Sequence, residues 1–309
     1  MKILICDSVH QYLVDGLTAL GHQVDIFNDI SQSSLLALIH SYEGLIVNTR
    51  NPVNKLLIDS APHLACVARL GSGKEILDLN ELSKRKIKVI TSPEANCNAV
   101  AEHALGMLLC LFRNILKANL ELRKFEWNRE ENRGIEIKGK TISIIGYGHT
   151  GKRFTQLLSA FDCKIKIYDK YVTPVNDANN IEVIRDLSGI YDSDIISYHV
   201  SYMPENFHIF SSELINRMIK PFYLVNTSRG MVVNTKDLIK GIEEGKVLGA
   251  CLDVFENEKP SSFSEEEQSV FKQLMNKPQV IVTPHIAGWT VESKLAIASS
   301  ILSQWPENK

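Results

Sequence analysis

Residues 141–151 read Thr141-Ile142-Ser143-Ile144-Ile145-Gly146-Tyr147-Gly148-His149-Thr150-Gly151. An apolar, β-branched run ends in three glycines spaced G-x-G-x-x-G, and the segment that follows, 152–161, has a helical pattern. The next apolar run, Lys164–Tyr168, ends in Asp169, 18 residues after Gly151. Strand, glycines, helix, strand and acid in this order describe a βαβ unit that cradles a dinucleotide. Gly146 permits the tight turn, Gly148 lets the backbone approach a pyrophosphate, and Gly151 lets helix and strand pack closely. The N-terminus of that helix offers backbone N–H groups and a partial positive charge to phosphates, and His149 and Thr150, in the loop before it, are read as backbone contacts of the cofactor. A carboxylate at Asp169 can accept both adenosine ribose hydroxyls and repels a 2′-phosphate, which favours NAD over NADP.

Outward from this unit the alternation continues in both directions. Toward the N-terminus, the strand-like runs are Ile3–Cys6, Val24–Phe27, Leu45–Asn48, Leu64–Arg69 and Val89–Thr91, with helical stretches such as Ser33–Tyr42 and Leu79–Lys86 between them. A long amphipathic segment from Ala99 to about Arg123 is expected as one helix, followed by a polar surface excursion from Glu126 to Gly139. Toward the C-terminus the runs are Asp194–Val200, Tyr223–Asn226, Gly249–Val254 and Val280–Thr283, and Glu292 to about Gln304 is helical. Strands alternating with helices throughout imply an α/β chain with doubly wound parallel sheets.

The 309 residues suit two domains, and 44% hydrophobic with 23% charged residues is a globular composition. A formal net charge of −2 argues against a nucleic-acid binder. Cys6, Cys66, Cys97, Cys110, Cys163 and Cys251 form no C-x-x-C pair, so reduced thiols in a cytoplasmic protein are expected and no metal site is. The N-terminal apolar run, Ile3–Cys6, is too short for a signal peptide, and no run reaches the length of a membrane span.

Reduction of a 2-oxo acid requires a cation for the carboxylate, an acid for the developing alkoxide, and a group that keeps that acid protonated. Arg suits the first task through its planar fork, His the second through a pKa near neutrality, and a neighbouring carboxylate the third. The second half places one of each just past a strand: Arg229 in Asn226-Thr227-Ser228-Arg229-Gly230, Glu258 beyond Asp253-Val254-Phe255, and His285 in Thr283-Pro284-His285. Carboxyl ends of strands are where doubly wound sheets bind ligands. Spacing alone does not bring the three together.

Taken together, Arg69–Gly73 (RLGSG), Asn98–His103 (NAVAEH), Gly146–Gly151, Asn226–Gly230 (NTSRG), Leu252–Glu256 (LDVFE) and Thr283–Gly288 (TPHIAG) resemble the D-isomer-specific 2-hydroxyacid dehydrogenases, and among them the D-3-phosphoglycerate dehydrogenases. The resemblance implies a Rossmann NAD domain, residues 98–286, inserted into a flavodoxin-like substrate domain, residues 1–97 and 287–309. It implies that Arg229 binds the substrate carboxylate and carbonyl, that His285 is the proton donor and that Glu258 pairs with it. Asp253 would face the nicotinamide carboxamide. Val200, Thr227, Ser228 and Gly288 would line the cofactor, and the backbone at Ser72 and Gly73 would take the substrate carboxylate. Where phosphoglycerate enzymes often carry two arginines, only Arg50 stands here, with Asn48 in the first place; Arg50 is the expected phosphate contact. Glyoxylate, hydroxypyruvate or another 2-oxo acid is the alternative to 3-phosphoglycerate/3-phosphohydroxypyruvate and serine biosynthesis. The chain ends near its last core helix, short of the serine-sensing domain of long phosphoglycerate enzymes, so no serine feedback of that kind is expected. A homodimer formed around residues 100–140 is implied. The rival of another class is a non-catalytic NAD(H)-sensing protein, which the family also contains.

Overall fold

The computed structural model of the chain describes residues 1–172 and 180–306. Among them are twelve strands, β1 Lys2–Ile5, β2 Gln23–Ile26, β3 Gly44–Val47, β4 Cys66–Arg69, β5 Lys88–Ile90, β6 Thr141–Ile145, β7 Lys164–Tyr168, β8 Ile181–Val183, β9 Ile195–Tyr198, β10 Phe222–Asn226, β11 Val247–Leu252 and β12 Val280–Val282. The chain divides into two compact units, Met1–Cys97 with Trp289–Lys309, and Asn98–Gly288. The sheet of the first unit runs β2-β1-β3-β4-β5 and that of the second β12-β11-β10-β9-β6-β7-β8. Every strand pair is parallel. The first order is flavodoxin-like. The second, counted from β6, is the 3-2-1-4-5-6 Rossmann order with one strand added, and its direction reverses between β6 and β9.

Parallel sheets are covered on both faces, and side chains along each strand alternate between two cores. In the second unit, Ile142 and Ile144 of β6, Ile195 of β9 and Val225 of β10 pack with Phe154 and Leu158. Their neighbours Ile145, Ile196, Tyr198 and Leu224 turn to the other face, against Phe210, Leu238 and Ile242. The helix His149–Leu158 reaches the sheet through Gly151, Phe154, Thr155 and Leu158, one stripe at helical spacing. Burying Phe154 alone is worth roughly 2–3 kcal/mol.

In the first unit the C-terminal helix Val291–Gln304 returns to pack Ala298 and Ile301, with Trp305 after it, against Ile3, Ile5 and Ile46. The chain re-enters this unit at Trp289. The N–H groups of Ile286 and Ala287 bind the Asp253 carboxylate at 2.8 and 2.9 Å, which keeps residues 286 and 287 with the second unit.

Three local readings differ from the sequence expectation. The long helix is two, Cys97–Phe112 and Ile115–Leu122, bent by 60° at the break, where Asn114 takes a left-handed conformation (φ 52°). The helix after the glycines begins at His149, with Gly148 as its N-cap, three residues earlier than its apolar pattern. Strand β8 has no counterpart in the apolar pattern, because it is a three-residue strand at the sheet edge with no fully buried side chain. No single helix among the described residues is long and apolar enough to cross a membrane.

Candidate active site

The glycine loop leaves β6 and enters the helix at 149. Gly146 has φ +94°, a region that L side chains rarely adopt, and a Cβ there would lie 2.6 Å from the His199 carbonyl oxygen. A Cβ on Gly151 would lie 2.1 Å from the Gly146 carbonyl oxygen. A Cβ on Gly148, by contrast, would meet nothing within 4 Å. Gly146 and Gly151 close the turn and the helix–strand contact, and Gly148 leaves open space over the helix N-terminus. That terminus carries no side-chain cap and no acid in its first turn. Its amides and dipole suit a phosphate.

Asp169 follows β7. Its carboxylate oxygens accept from the Tyr147 N–H at 2.7 Å and the Tyr171 N–H at 2.8 Å, so the group is pinned beside the glycine loop. At the ends of β9 and β10, two buried polar atoms have no partner, His199 Nδ1 and Thr227 Oγ1. Burial lowers the His199 pKa to about 3, so its ring is neutral. Val200 is half-buried beside Gly146, and Ser228 is fixed by hydrogen bonds from its N–H and Oγ to Asn226 Oδ1 at 3.1 and 2.9 Å. Open space over the N-terminus, pinned carboxylate and unpartnered hydroxyl fit a dinucleotide. Gly146, Gly148, His149, Thr150, Gly151, Asp169, Thr227 and Ser228 are the residues that would hold it.

Glu258 and His285 are brought together. Glu258 Oε2 lies 2.7 Å from His285 Nδ1, and Glu258 Oε1 accepts from the Phe255 N–H at 3.3 Å. The carboxylate beside it raises the His285 pKa, against the lowering effect of burial, with a smaller lowering from the Arg229 charge. Arg229 is partly buried, and its Nη1 donates to the Ser228 carbonyl at 2.8 Å. The Arg229 carbonyl accepts from Asn226 Nδ2 at 3.0 Å, which ties its loop to the end of β10.

His285 is held in a left-handed conformation, φ +55°, which is costly for a residue with a Cβ. Asp253 pays for it. Its backbone carbonyl accepts from the His285 N–H at 2.8 Å, and its carboxylate accepts from the N–H groups of Ile286 and Ala287 and from Thr283 Oγ1 at 2.5 Å. His103, on the helix Cys97–Phe112, adds a 2.9 Å contact from Nε2 to Thr283 Oγ1. The resemblance placed Asp253 against the nicotinamide. The side chain is wholly buried, and the hydrogen bonds that its oxygens accept shape the His285 turn. His103 and His199 were not singled out from the sequence as site residues. His103 stands inside a quoted motif, but no spacing rule ties it to Thr283, 180 residues away.

In the first unit, Ser72 is half-buried and Gly73 buried in the loop after β4. Arg50, past the end of β3, is not an open cation. Its guanidinium is paired with Asp29 and, at 3.0 Å, with Asp7. Its pKa is raised by Asp29 first and then Asp7. A phosphate at Arg50 would compete with two carboxylates. Among the described residues no three His, Cys, Asp or Glu side chains are grouped to hold a metal ion.

Residues 105–287 match the family model described as the D-isomer specific 2-hydroxyacid dehydrogenase, NAD binding domain. The chain is 31% identical over 306 residues to a D-3-phosphoglycerate dehydrogenase of Methanocaldococcus jannaschii, covering 98% of this chain and 56% of that protein. It is 32% identical over 279 residues to a glyoxylate reductase of Thermofilum pendens, covering 87% of this chain and 78% of that one. The chain spans only about half to two thirds of the length of several curated phosphoglycerate dehydrogenases that it matches. Among solved structures, a D-lactate dehydrogenase from Aquifex aeolicus, complexed with NAD and lactic acid, superposes with a TM-score of 0.85 at 26% identity, over 97% of this chain and 93% of that one.

Proposed function

Because the chain belongs to the D-isomer-specific 2-hydroxyacid dehydrogenase family, we propose that it is an NAD-dependent oxidoreductase interconverting a D-2-hydroxy acid and its 2-oxo acid. The observation that carries this reading is the 2.7 Å His285–Glu258 pair in the unit that holds the glycine loop and Arg229. When bound, the dinucleotide supplies or accepts the hydride at C2. The Arg229 fork binds the substrate carboxylate and polarises the C2 carbonyl. The His285 ring donates its proton to the C2 oxygen as that oxygen gains charge, and takes it back in the oxidative direction. Glu258 orients the ring and favours its protonated form. Asp253, through Thr283 and the 285–287 backbone, fixes where the ring points.

The relatives support 3-phosphoglycerate/3-phosphohydroxypyruvate, and with it a step of serine biosynthesis, as the first substrate pair to test. The pairing of Arg50 with Asp7 and Asp29 favours a second reading, an unphosphorylated 2-oxo acid such as hydroxypyruvate or glyoxylate. Steady-state NADH oxidation with 3-phosphohydroxypyruvate, hydroxypyruvate and glyoxylate decides between them. A kcat/KM at least about tenfold higher for the phosphorylated acid, roughly 1.4 kcal/mol of transition-state preference, supports the first pair. The reverse preference supports the second. NADH binding without turnover on any 2-oxo acid would replace both with a sensor of NAD(H).

A homodimer completes the reading. The segment 115–135 exposes Ile115, Leu116, Leu120, Leu122, Phe125 at 97% and Trp127 at 77%, an apolar surface that a monomer rarely leaves uncovered. Phe125→Ser with Trp127→Ser is expected to shift the sedimentation mass from two chains toward one; a wild-type chain that sediments as a monomer contradicts it. The six free cysteines fit a reducing compartment and support a cytoplasmic location.

A further inference from the structure

We infer that Glu205 is a determinant of cofactor choice, acting by drawing Lys170 into an ion pair and so withholding it from a 2′-phosphate. The inference rests on the NAD reading above. Lys170 directly follows Asp169 at the carboxyl end of β7. Its Nζ lies 3.0 Å from Glu205 Oε1. Glu205 stands in the single 3-10 turn Pro204–Asn206, beyond the end of β9. In the sheet β6 lies between β7 and β9, so the pair reaches across the carboxyl end of the strand that feeds the glycine loop. This is the edge of the crevice at which the adenosine ribose of a dinucleotide meets the acid at 169.

The charges decide what that edge accepts. A 2′-phosphate brings about −1.5 to −2 charges and needs a cation. Asp169 repels it, and its carboxylate cannot swing away, because Tyr147 and Tyr171 N–H groups pin it. A free Lys170 beside Asp169 would cancel that repulsion and offer three donors on a flexible stem. Glu205 removes this option twice, by holding the ammonium and by adding a second negative charge. Asp169, Lys170 and Glu205 together carry one net negative charge, whereas Asp169 and Lys170 alone would be neutral. Glu205 stays ionised: its own backbone N–H first, and Lys170 next, lower its pKa. Lys170 stays protonated: its hydrogen bond to Glu205 raises its pKa. Both side chains are largely exposed, at 48% and 42%, so the pair adds little to stability and its removal leaves the fold intact.

The test is direct titration of the purified protein with NADH and with NADPH, followed by nicotinamide fluorescence, in the absence of any 2-oxo acid. In Glu205→Gln the ratio of the NADPH to the NADH dissociation constant is expected to fall about tenfold, the order expected for removing one unit charge several ångströms from a phosphate at a protein surface. In the double variant Glu205→Gln, Lys170→Ala most of that fall is expected to be lost. An unchanged ratio in Glu205→Gln, with NADH still bound, overturns this inference alone; so does a fall that persists in full without Lys170. A wild-type chain that binds neither dinucleotide overturns the NAD reading and this inference with it.

Discussion

Replacing His285 with alanine is expected to lower turnover in 2-oxo acid reduction by about 10²- to 10⁴-fold, the usual contribution of a positioned general acid. Fluorescence titration of NADH should change little, because the side chains that would hold the dinucleotide lie on other loops. Arg229→Ala is expected to lower kcat/KM by at least about a hundredfold, the cost of losing a charge-assisted anchor for the substrate carboxylate. Turnover retained within about threefold in both variants would remove the triad from the mechanism. Glu258→Gln tests how the pair works. Glu258 raises the His285 pKa above its ordinary value, so the protonated ring that reduction requires persists to higher pH. Without that carboxylate the ring loses its proton earlier, and the high-pH limb of kcat/KM for reduction should move to lower pH. The oxidative direction, which needs the neutral ring, should extend to lower pH. An unmoved profile would mean that Glu258 only packs against the ring.

Gly230→Ala is expected to destabilise the second unit by at least about 3 kcal/mol and to abolish turnover. The reason is steric and specific. A Cβ at residue 230 would lie 1.8 Å from the Phe255 carbonyl oxygen and 2.7 Å from the Glu256 N–H nitrogen, all backbone atoms with no rotamer to escape into. The contact joins the loop that carries Arg229 to the loop that carries Glu258, so relief by backbone movement would separate the two groups. For a unit of this size, a loss of that magnitude lowers the thermal midpoint by roughly 6–12 °C. A Gly230→Ala protein that melts within about 2 °C of wild type and keeps its kcat would show that the two loops are not packed as described. Gly148→Ala is the informative comparison, since a Cβ there meets nothing in the protein. Its effect should fall on dinucleotide affinity and leave the melting temperature nearly unchanged.

The fold was legible because its signals are local. Strands β6 and β7 were bounded correctly from an apolar run, the three glycines and a closing acid. The stripe Gly151, Phe154, Thr155 and Leu158 repeats at the helical period within a single element. Where a local signal was weak the reading failed: the edge strand β8 lacks an apolar run, and the turn at Asn114 interrupts a continuous amphipathic pattern without a proline or glycine to announce it.

The chemistry divides differently. Residue types and motif order were enough to nominate Arg229, Glu258 and His285, since each follows a strand whose carboxyl end faces the ligand side of the sheet. Whether these side chains meet is a property of strands paired in register across the sheet, and only folding brings Glu258 within 2.7 Å of a residue 27 positions away. Asp253 and Arg50 show the same limit from the other side. In the sequence each is a charged residue beside a motif and available to a ligand. In the folded chain Asp253 spends its oxygens on the turn that strains His285, and Arg50 is paired with carboxylates that follow two other strands. The sequence by itself determined the two alternating α/β patterns, the dinucleotide loop and the inventory of reactive groups, because periodicity and glycine spacing act over a few residues. The tertiary structure alone decided which charges are free and which are already paired, because a charge is compensated by whatever folding sets beside it, at any distance along the chain.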